Sequence, residues 1–400
     1  MAHPRARTLA GVLTALTLTT ATACSGSALS SGDKDSGAPL KIGVIVPLTG
    51  SVGPSGQALR NGLKLGFKKV NAAGGVNGRP VEYVVADDAG NPATSTQLAR
   101  RMVQEDKVSM VFGTITGDTA EAVAEVTDGA KVPFGTAILG DTEKCFPYQW
   151  GFGETSRQLL TPSVPELVEK YGKRVAIVGS DYNYPHFYAK IAKQQIEKAG
   201  ARTVAEEYSP LGQADWQPVV KRLKAAKPDL LLSMAVGGDA VSFSKQAQEF
   251  GLLTPELGFE GSPLDTDYYP ALSKLVNGRT HTVRWSDALK DPESESFVAA
   301  YRSAYKFKAP IPEVAGSAYF GIQFLLAAAD KAGSTDGEKI NAEIGKLRYD
   351  SPLGKDTSFA KENHLLQADM LQTTIKPGGA YEVTRKLGRV ADTTPKPGCA

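Results

Sequence analysis

The chain has 400 residues, 42% of them hydrophobic. That is more than one ordinary core absorbs and too apolar for a disordered polymer, so two globular lobes are expected. Its 45 Lys and Arg face 43 Asp and Glu; Arg5 and Arg7 lie in the first 23 residues, and without them the two counts match. No Lys/Arg run exceeds two residues, so a nucleic-acid partner, which needs a clustered basic surface, is excluded.

The first residues carry His3, Arg5 and Arg7. A short apolar stretch from Leu9 to Leu18 follows, diluted by threonines, and then Ala21, Thr22 and Ala23 precede Cys24. This is the pattern of a secretory signal over 1–23. The apolar stretch falls far short of the roughly 20 residues of a spanning helix, and no other segment comes closer, so the chain reads as exported rather than integral. Ala21, Thr22, Ala23 and Cys24 resemble the bacterial lipoprotein box, although Ala21 stands where leucine is usual. Residues 24–38, rich in Ser, Gly and Asp, read as a lipidated flexible tether holding the protein to the outer face of the cytoplasmic membrane or in the periplasm. The alternative is plain secretion. With Cys24 lipidated, Cys145 and Cys399 remain as an even pair in an oxidising compartment. Either they bridge and pin the C-terminal tail, or both stay as thiols.

From residue 40 onward short β-branched runs alternate with amphipathic stretches. Strands are predicted over 41–47, 81–86 and 108–112, and helices over 57–70 and 93–105. Leu59, Leu63, Phe67 and Val70 fall on one face of the first helix. After a break the alternation restarts, with helices over 158–171, 186–199, 218–226 and 240–250 and strands over 174–178, 203–208 and 230–233, which implies a second parallel sheet. Runs such as Val175, Ala176, Ile177 and Val178 lack polar alternation, so helices must cover both faces. Helices over 293–305 and 314–331 are too many for the second sheet alone, and the chain is expected to return to the first lobe. Beyond Leu353 the pattern is irregular, and Lys376, Pro377, Gly378 and Gly379 suggest the turn of a terminal hairpin or strap.

Catalytic motifs are missing: there is no Gly-x-Ser-x-Gly elbow, His-Glu-x-x-His helix, Walker loop or dinucleotide-binding glycine pattern. His186, His281 and His364 are widely spaced and read as ordinary polar positions, so neither a metal nor a cofactor is expected. Asp87 and Asp88 read as turn and cap chemistry ahead of Asn91 and Pro92 rather than as a cation site. The loops after the strands are more informative, because ligands bind parallel sheets outside the carboxyl ends of the strands. The loop from Thr114 to Thr119 offers hydroxyls, Gly117 and free backbone N–H groups to a carboxylate, or a plain N-cap through Thr116 or Asp118. Tyr182, Asn183 and Tyr184 occupy the matching loop of the second lobe. Glu260 ends a short strand, where it either faces a ligand ammonium or is a solvated strand end.

Ile42 through Gly50, the turn from Asn71 to Pro80, and Asp87 with Asp88 resemble the leucine/isoleucine/valine-binding proteins, which are type I periplasmic binding proteins serving ABC importers. The resemblance implies an α/β fold of two Rossmann-like doubly wound lobes joined by a three-crossing hinge. Lobe 1 is then 39–155 plus 284–365, lobe 2 is 156–283 plus 366–392, and 393–400 is a tail, with Trp150 and Trp285 near the crossings. A monomer is implied that catalyses nothing and binds a small polar molecule, first of all a branched-chain amino acid. Its partners are an ABC permease with its ATPase. Amides, urea, small aromatic or organic acids, or delivery to a sensory receptor are alternatives, and an exported hydrolase is a remoter one. The ligand-binding positions implied are Ser55, Thr116, Gly117, Ala137, Leu139, Tyr184, Gly237 and Glu260. Glu260 would hold the ammonium and Tyr184 would close over the ligand. Gly117 and Leu139 lack the hydroxyls that the family uses there.

Overall fold

The computed structural model describes residues 37–138, 141 and 144–399. The signal and anchor around Ala21 and Cys24, and the contact expected of Leu139, lie outside them. The chain begins with strands β1 (Leu40–Val46), β2 (Val81–Asp87), β3 (Met110–Gly113), β4 (Phe134–Thr136) and β5 (Gln149–Gly151). Between them lie helices α1 (Gly53–Ala72), α2 (Pro92–Gln104) and α3 (Gly117–Gly129). The strands form one parallel sheet in the order β2-β1-β3-β4-β5. Ile42, Val44 and Val46 join the core on one face and Ile45 the core on the other, because successive strand side chains point to opposite faces.

Helix α4 (Ser156–Tyr171) opens the second half, and β6 (Arg174–Asp181), α5 (Asn183–Lys198), β7 (Arg202–Pro210), α6 (Gln217–Ala225), β8 (Leu230–Met234), α7 (Gly238–Glu249) and β9 (Gly258–Gly261) follow. Their strands make a second parallel sheet, β7-β6-β8-β9. Val175 and Ile177 pack with Leu160, Val164 and Tyr188, while Ala176 and Val178 pack with Val220, Leu223 and Phe243. Both faces are therefore covered, as the unbroken apolar runs require. A 3-10 turn (Ser262–Leu264), α8 (Tyr269–Val276) and β10 (Thr280–Val283) lead back to α9 (Pro292–Tyr305), α10 (Glu313–Ala332) and α11 (Gly337–Ile344).

Helix α10 is buried on nearly every side and lies against α1. Gly62 permits the approach: a Cβ at that position would stand 2.1 Å from the carbonyl oxygen of Ala315. After the small β11 (Tyr349–Ser351) and β12 (Gly354–Thr357) pair, β13 (Asp369–Ile375) and β14 (Tyr381–Arg389) form an antiparallel hairpin turning at 376–380 and pairing with β10.

The chain crosses between the two halves three times, after β5, after β10 and before β13. The first and third crossings lie side by side, joined by Gly151 N–H to His364 O at 3.0 Å and Leu366 N–H to Gly151 O at 2.9 Å. Trp150 stacks on His364 with ring centroids 4.0 Å apart, and Trp285 packs edge-on to Phe297. Cys145 and Cys399 are disulfide-bonded, with Cα atoms 5.4 Å apart. The segment before Cys399 is also held by Cys145 N–H to Pro397 O at 2.8 Å.

Candidate ligand-binding cleft

The carboxyl ends of both parallel sheets converge on one cavity. The first half contributes Val52, Ser55, Ile115, Thr116 and Ile138; the second contributes Tyr182, Tyr184, Tyr188, Met234, Val236, Glu260, Asp265 and Tyr268. Glu154, His281, Thr282 and Glu313 line it beside the crossings. Contacts across the cavity hold it shut. Ser55 Oγ bonds Asp267 Oδ2, Gly238 N–H reaches Ser51 O at 3.2 Å, and Glu313 N–H reaches Thr266 Oγ1 at 3.0 Å. Gly117 meets Asn183 so closely that a Cβ would lie 2.5 Å from its Oδ1.

The floor is a charge network. His281 is buried with Nδ1 2.7 Å from Glu260 Oε1 and Nε2 2.9 Å from Asp265 Oδ1. An ionised carboxylate only accepts, so both ring nitrogens must carry protons and the ring is an imidazolium. Burial opposes that charge, but the two carboxylates prevail and hold the pKa well above the ordinary imidazole value. Arg284, also buried, donates through Nε to Ser317 Oγ at 2.5 Å and through Nη2 to Ala137 O at 2.6 Å; its Nη1 meets Glu154 and lies 3.8 Å from Glu313 Oε1. Glu313 also accepts the Arg284 backbone N–H at 2.8 Å. Burial raises the pKa of Glu313 while Arg284 pulls it back. Asp267 is pushed up to about 7, chiefly by burial, with the nearby Asp265 and Glu313 charges adding and Ser55 opposing.

The walls are aromatic. Tyr182, Tyr184 and Tyr188 form a chain, with ring centroids 6.4 and 6.2 Å apart in turn, and burial raises all three phenol pKa values well above normal, which keeps them neutral. Tyr268 Oη accepts the Gly237 N–H at 2.8 Å.

The structure brings Ser55, Thr116, Tyr184 and Glu260 to the cavity wall. It does so differently from expectation for several residues. Asn183 and Tyr184 are not loop residues but the first turn of α5. Glu260 is neither solvated nor unpartnered, because β10 carries His281 against it; His281 is therefore no ordinary polar position. The Ala137 carbonyl is taken by Arg284, Gly237 turns its N–H to Tyr268, and Gly117 faces Asn183. Thr116 is the N-cap of α3 without a side-chain cap bond, and its hydroxyl lies 3.0 Å from that of Thr119. Asp87 and Asp88 do turn chemistry. Asp87 Oδ1 accepts from Leu48 and Ala89 N–H at 2.8 Å, and Asp88 Oδ2 from Ser95 Oγ at 2.9 Å. Sequence reasoning passed over Glu154, Asp265, Arg284 and Glu313; only a polar residue next to an expected crossing, as Glu154 and Arg284 are, could have flagged two of them.

The profile described as periplasmic binding protein matches residues 39–380. A Leu/Ile/Val-binding protein homolog of Brucella melitensis is 27% identical over 330 residues, which cover 78% of this chain and 87% of that one. A solute-binding protein of an ABC transporter from Rhodopseudomonas palustris, solved with 3,4-dihydroxybenzoic acid, is 27% identical with a TM-score of 0.78, covering 89% of this chain and 99% of that one. A leucine-binding protein of Thermotoga maritima shares the fold at 20% identity and a TM-score of 0.76, with 87% and 99% covered. With two doubly wound lobes, three crossings and a shut cavity at their strand ends, the chain belongs to the periplasmic binding proteins of the leucine/isoleucine/valine type, the non-enzymatic extracytoplasmic solute-binding proteins of ABC transporters.

Proposed function

We propose that this protein captures a small amine-bearing molecule, an amino acid in the first instance, and that Cys24 anchors it by lipid to the membrane as a monomer with lobes divided at about 155, 283 and 365. The observation that carries the ligand reading is the buried carboxylate Glu260 at the carboxyl end of β9, facing a tyrosine-lined cavity. Tyr184 covers the apolar part of the ligand, Ser55 and Thr116 offer hydroxyls, and the α3 N-terminus receives a carboxylate. A Leu/Ile/Val-binding relative supports the amino acid. The tyrosines, together with the relative bound to dihydroxybenzoic acid, favour an aromatic acid as the second reading.

The test is calorimetry and thermal shift on residues 25–400 with amino acids, amides and aromatic acids. Ligand at 100 times its Kd should add about 2.7 kcal/mol of stability. Absence of any shift with amine-bearing compounds sinks the proposal, and a response to aromatic acids alone selects the second reading. For the anchor, Cys24→Ala should release the protein from the membrane fraction; retention there would overturn lipidation.

A further inference from the structure

Among the described residues lining the cavity, four carboxylates, Glu154, Glu260, Asp265 and Glu313, stand against one imidazolium, His281. The Arg284 guanidinium behind them is the second cation, which leaves a formal charge of −2. Even a protonated Glu313 leaves −1. Neither cation is available to a ligand anion. Both His281 nitrogens are engaged by carboxylates, and Arg284, which is not itself among the lining residues, donates to Ser317 and the Ala137 carbonyl with Nη1 set against Glu154. The acids are different. Glu260 and Asp265 each use one oxygen on His281, and no hydrogen bond among the described residues engages Glu260 Oε2 or Asp265 Oδ2.

We infer that the cleft selects a small organic cation, a molecule whose positive charge exceeds its negative charge by at least one, with its apolar body held against Tyr182, Tyr184 and Tyr188. The inference rests on the reading of this cavity as the site of an amine-bearing ligand and narrows that ligand by charge: where it is an amino acid, it is one with a basic side chain rather than a neutral one. A zwitterion leaves the acid surplus uncancelled, because its carboxylate cancels what its ammonium brings. A monoanion adds to the surplus in a desolvated space, where like charges repel strongly. Helix N-termini favour an anion, but of those that reach the cavity α3, α7 and α10 carry Asp118, Asp239 and Glu313 in their first turns, whereas α1 and α5 carry no acid there. Neutral buried tyrosines beside acids are, in contrast, suited to an ammonium: ring faces and carboxylate oxygens both attract it.

Two matched series vary the charge while keeping the body: tyramine, tyrosine and 3-(4-hydroxyphenyl)propanoate, and 3-methylbutylamine, leucine and 4-methylpentanoate. Calorimetry at pH 7.5 on the mature protein should find each amine at least tenfold tighter than its zwitterion, with no heat from the acids. If tyrosine or leucine binds as tightly as its amine, the cation inference falls and the amino-acid reading stands. If an acid binds tightest, both fall in favour of the second reading. If nothing in either series binds, both fall as well. As a second readout, Glu260→Gln and Asp265→Asn should each weaken the amine at least tenfold, and Asp265→Asn leaves the buried β9–β10 pair in place should Glu260→Gln fail to fold. Amine affinity unchanged in Asp265→Asn and in a folded Glu260→Gln would overturn the inference.

Discussion

Asp267 shows how a single side chain couples proton uptake to closure. It lies in the second half of the molecule and meets Ser55 of the first across the cavity, with Asp265 and Glu313 as its charged neighbours. In an open, solvated cleft its pKa returns toward the ordinary 3.8, whereas closure holds it at about 7. A carboxyl raised in the closed state favours closure most below the open-state value and loses that advantage as pH climbs to the closed-state value. Affinity should therefore fall by up to about tenfold per pH unit between about 4 and 7 and level off above. Glu313, displaced in the same direction, adds to the slope, while His281 keeps both partners within its own half and contributes little. Asp267→Asn should flatten the profile measured by calorimetry; an unchanged slope would assign it elsewhere.

At the level of elements, α1 against α10 is the contact most exposed to small changes. Gly62→Ala at a free helix site would stabilise by about 1 kcal/mol. Here the new Cβ meets backbone 2.1 Å away, so a loss of about 1–3 kcal/mol in urea denaturation is expected instead. A gain would mean that the helices separate freely. The long elements were legible in the sequence because their patterns are unambiguous: β6 and β8 carry the unbroken apolar runs 175–178 and 230–232, and Leu59, Leu63 and Phe67 mark the buried face of α1. Their ends were less so. Helix α1 starts at Gly53 rather than 57, since Pro54 in the first turn suits a helix start, and α4 starts at Ser156 because Thr155 and Gln158 form a reciprocal cap. Strands β4, β5 and β10, of three or four residues, are too short to show a period. The charge network was hidden for a related reason. His281 lies 21 residues from Glu260 and 16 from Asp265, and only the return of the chain through β10 makes them neighbours.

Over the whole molecule, two half-sites on separate lobes must meet for the cavity to exist. Glu260, Asp265 and His281 travel with the second sheet. Arg284 and Glu313, by contrast, pack with Ala137 and Ser317 beside the first. The disulfide from Cys145 to Cys399 ties the C-terminal segment to the loop after β4, so covalent structure reinforces the region next to the crossings. The family membership makes the molecule a solute binder of a non-enzymatic class, in keeping with a cavity shared by two lobes.

The uncancelled carboxylates also bear on speed. A cavity mouth with negative potential draws oppositely charged solutes inward before any contact forms, and the pull reaches only about 8 Å at physiological ionic strength. Stopped-flow tyrosine or tryptophan fluorescence with an amine ligand should therefore show an association rate that drops steeply as salt rises, with the dissociation rate nearly constant. An association rate indifferent to salt would mean that the acids act only after the lobes have closed. For a scavenger working in dilute surroundings, the surplus at Glu154, Glu260, Asp265 and Glu313 would then set how often an encounter becomes a capture, as well as how long the captured solute stays.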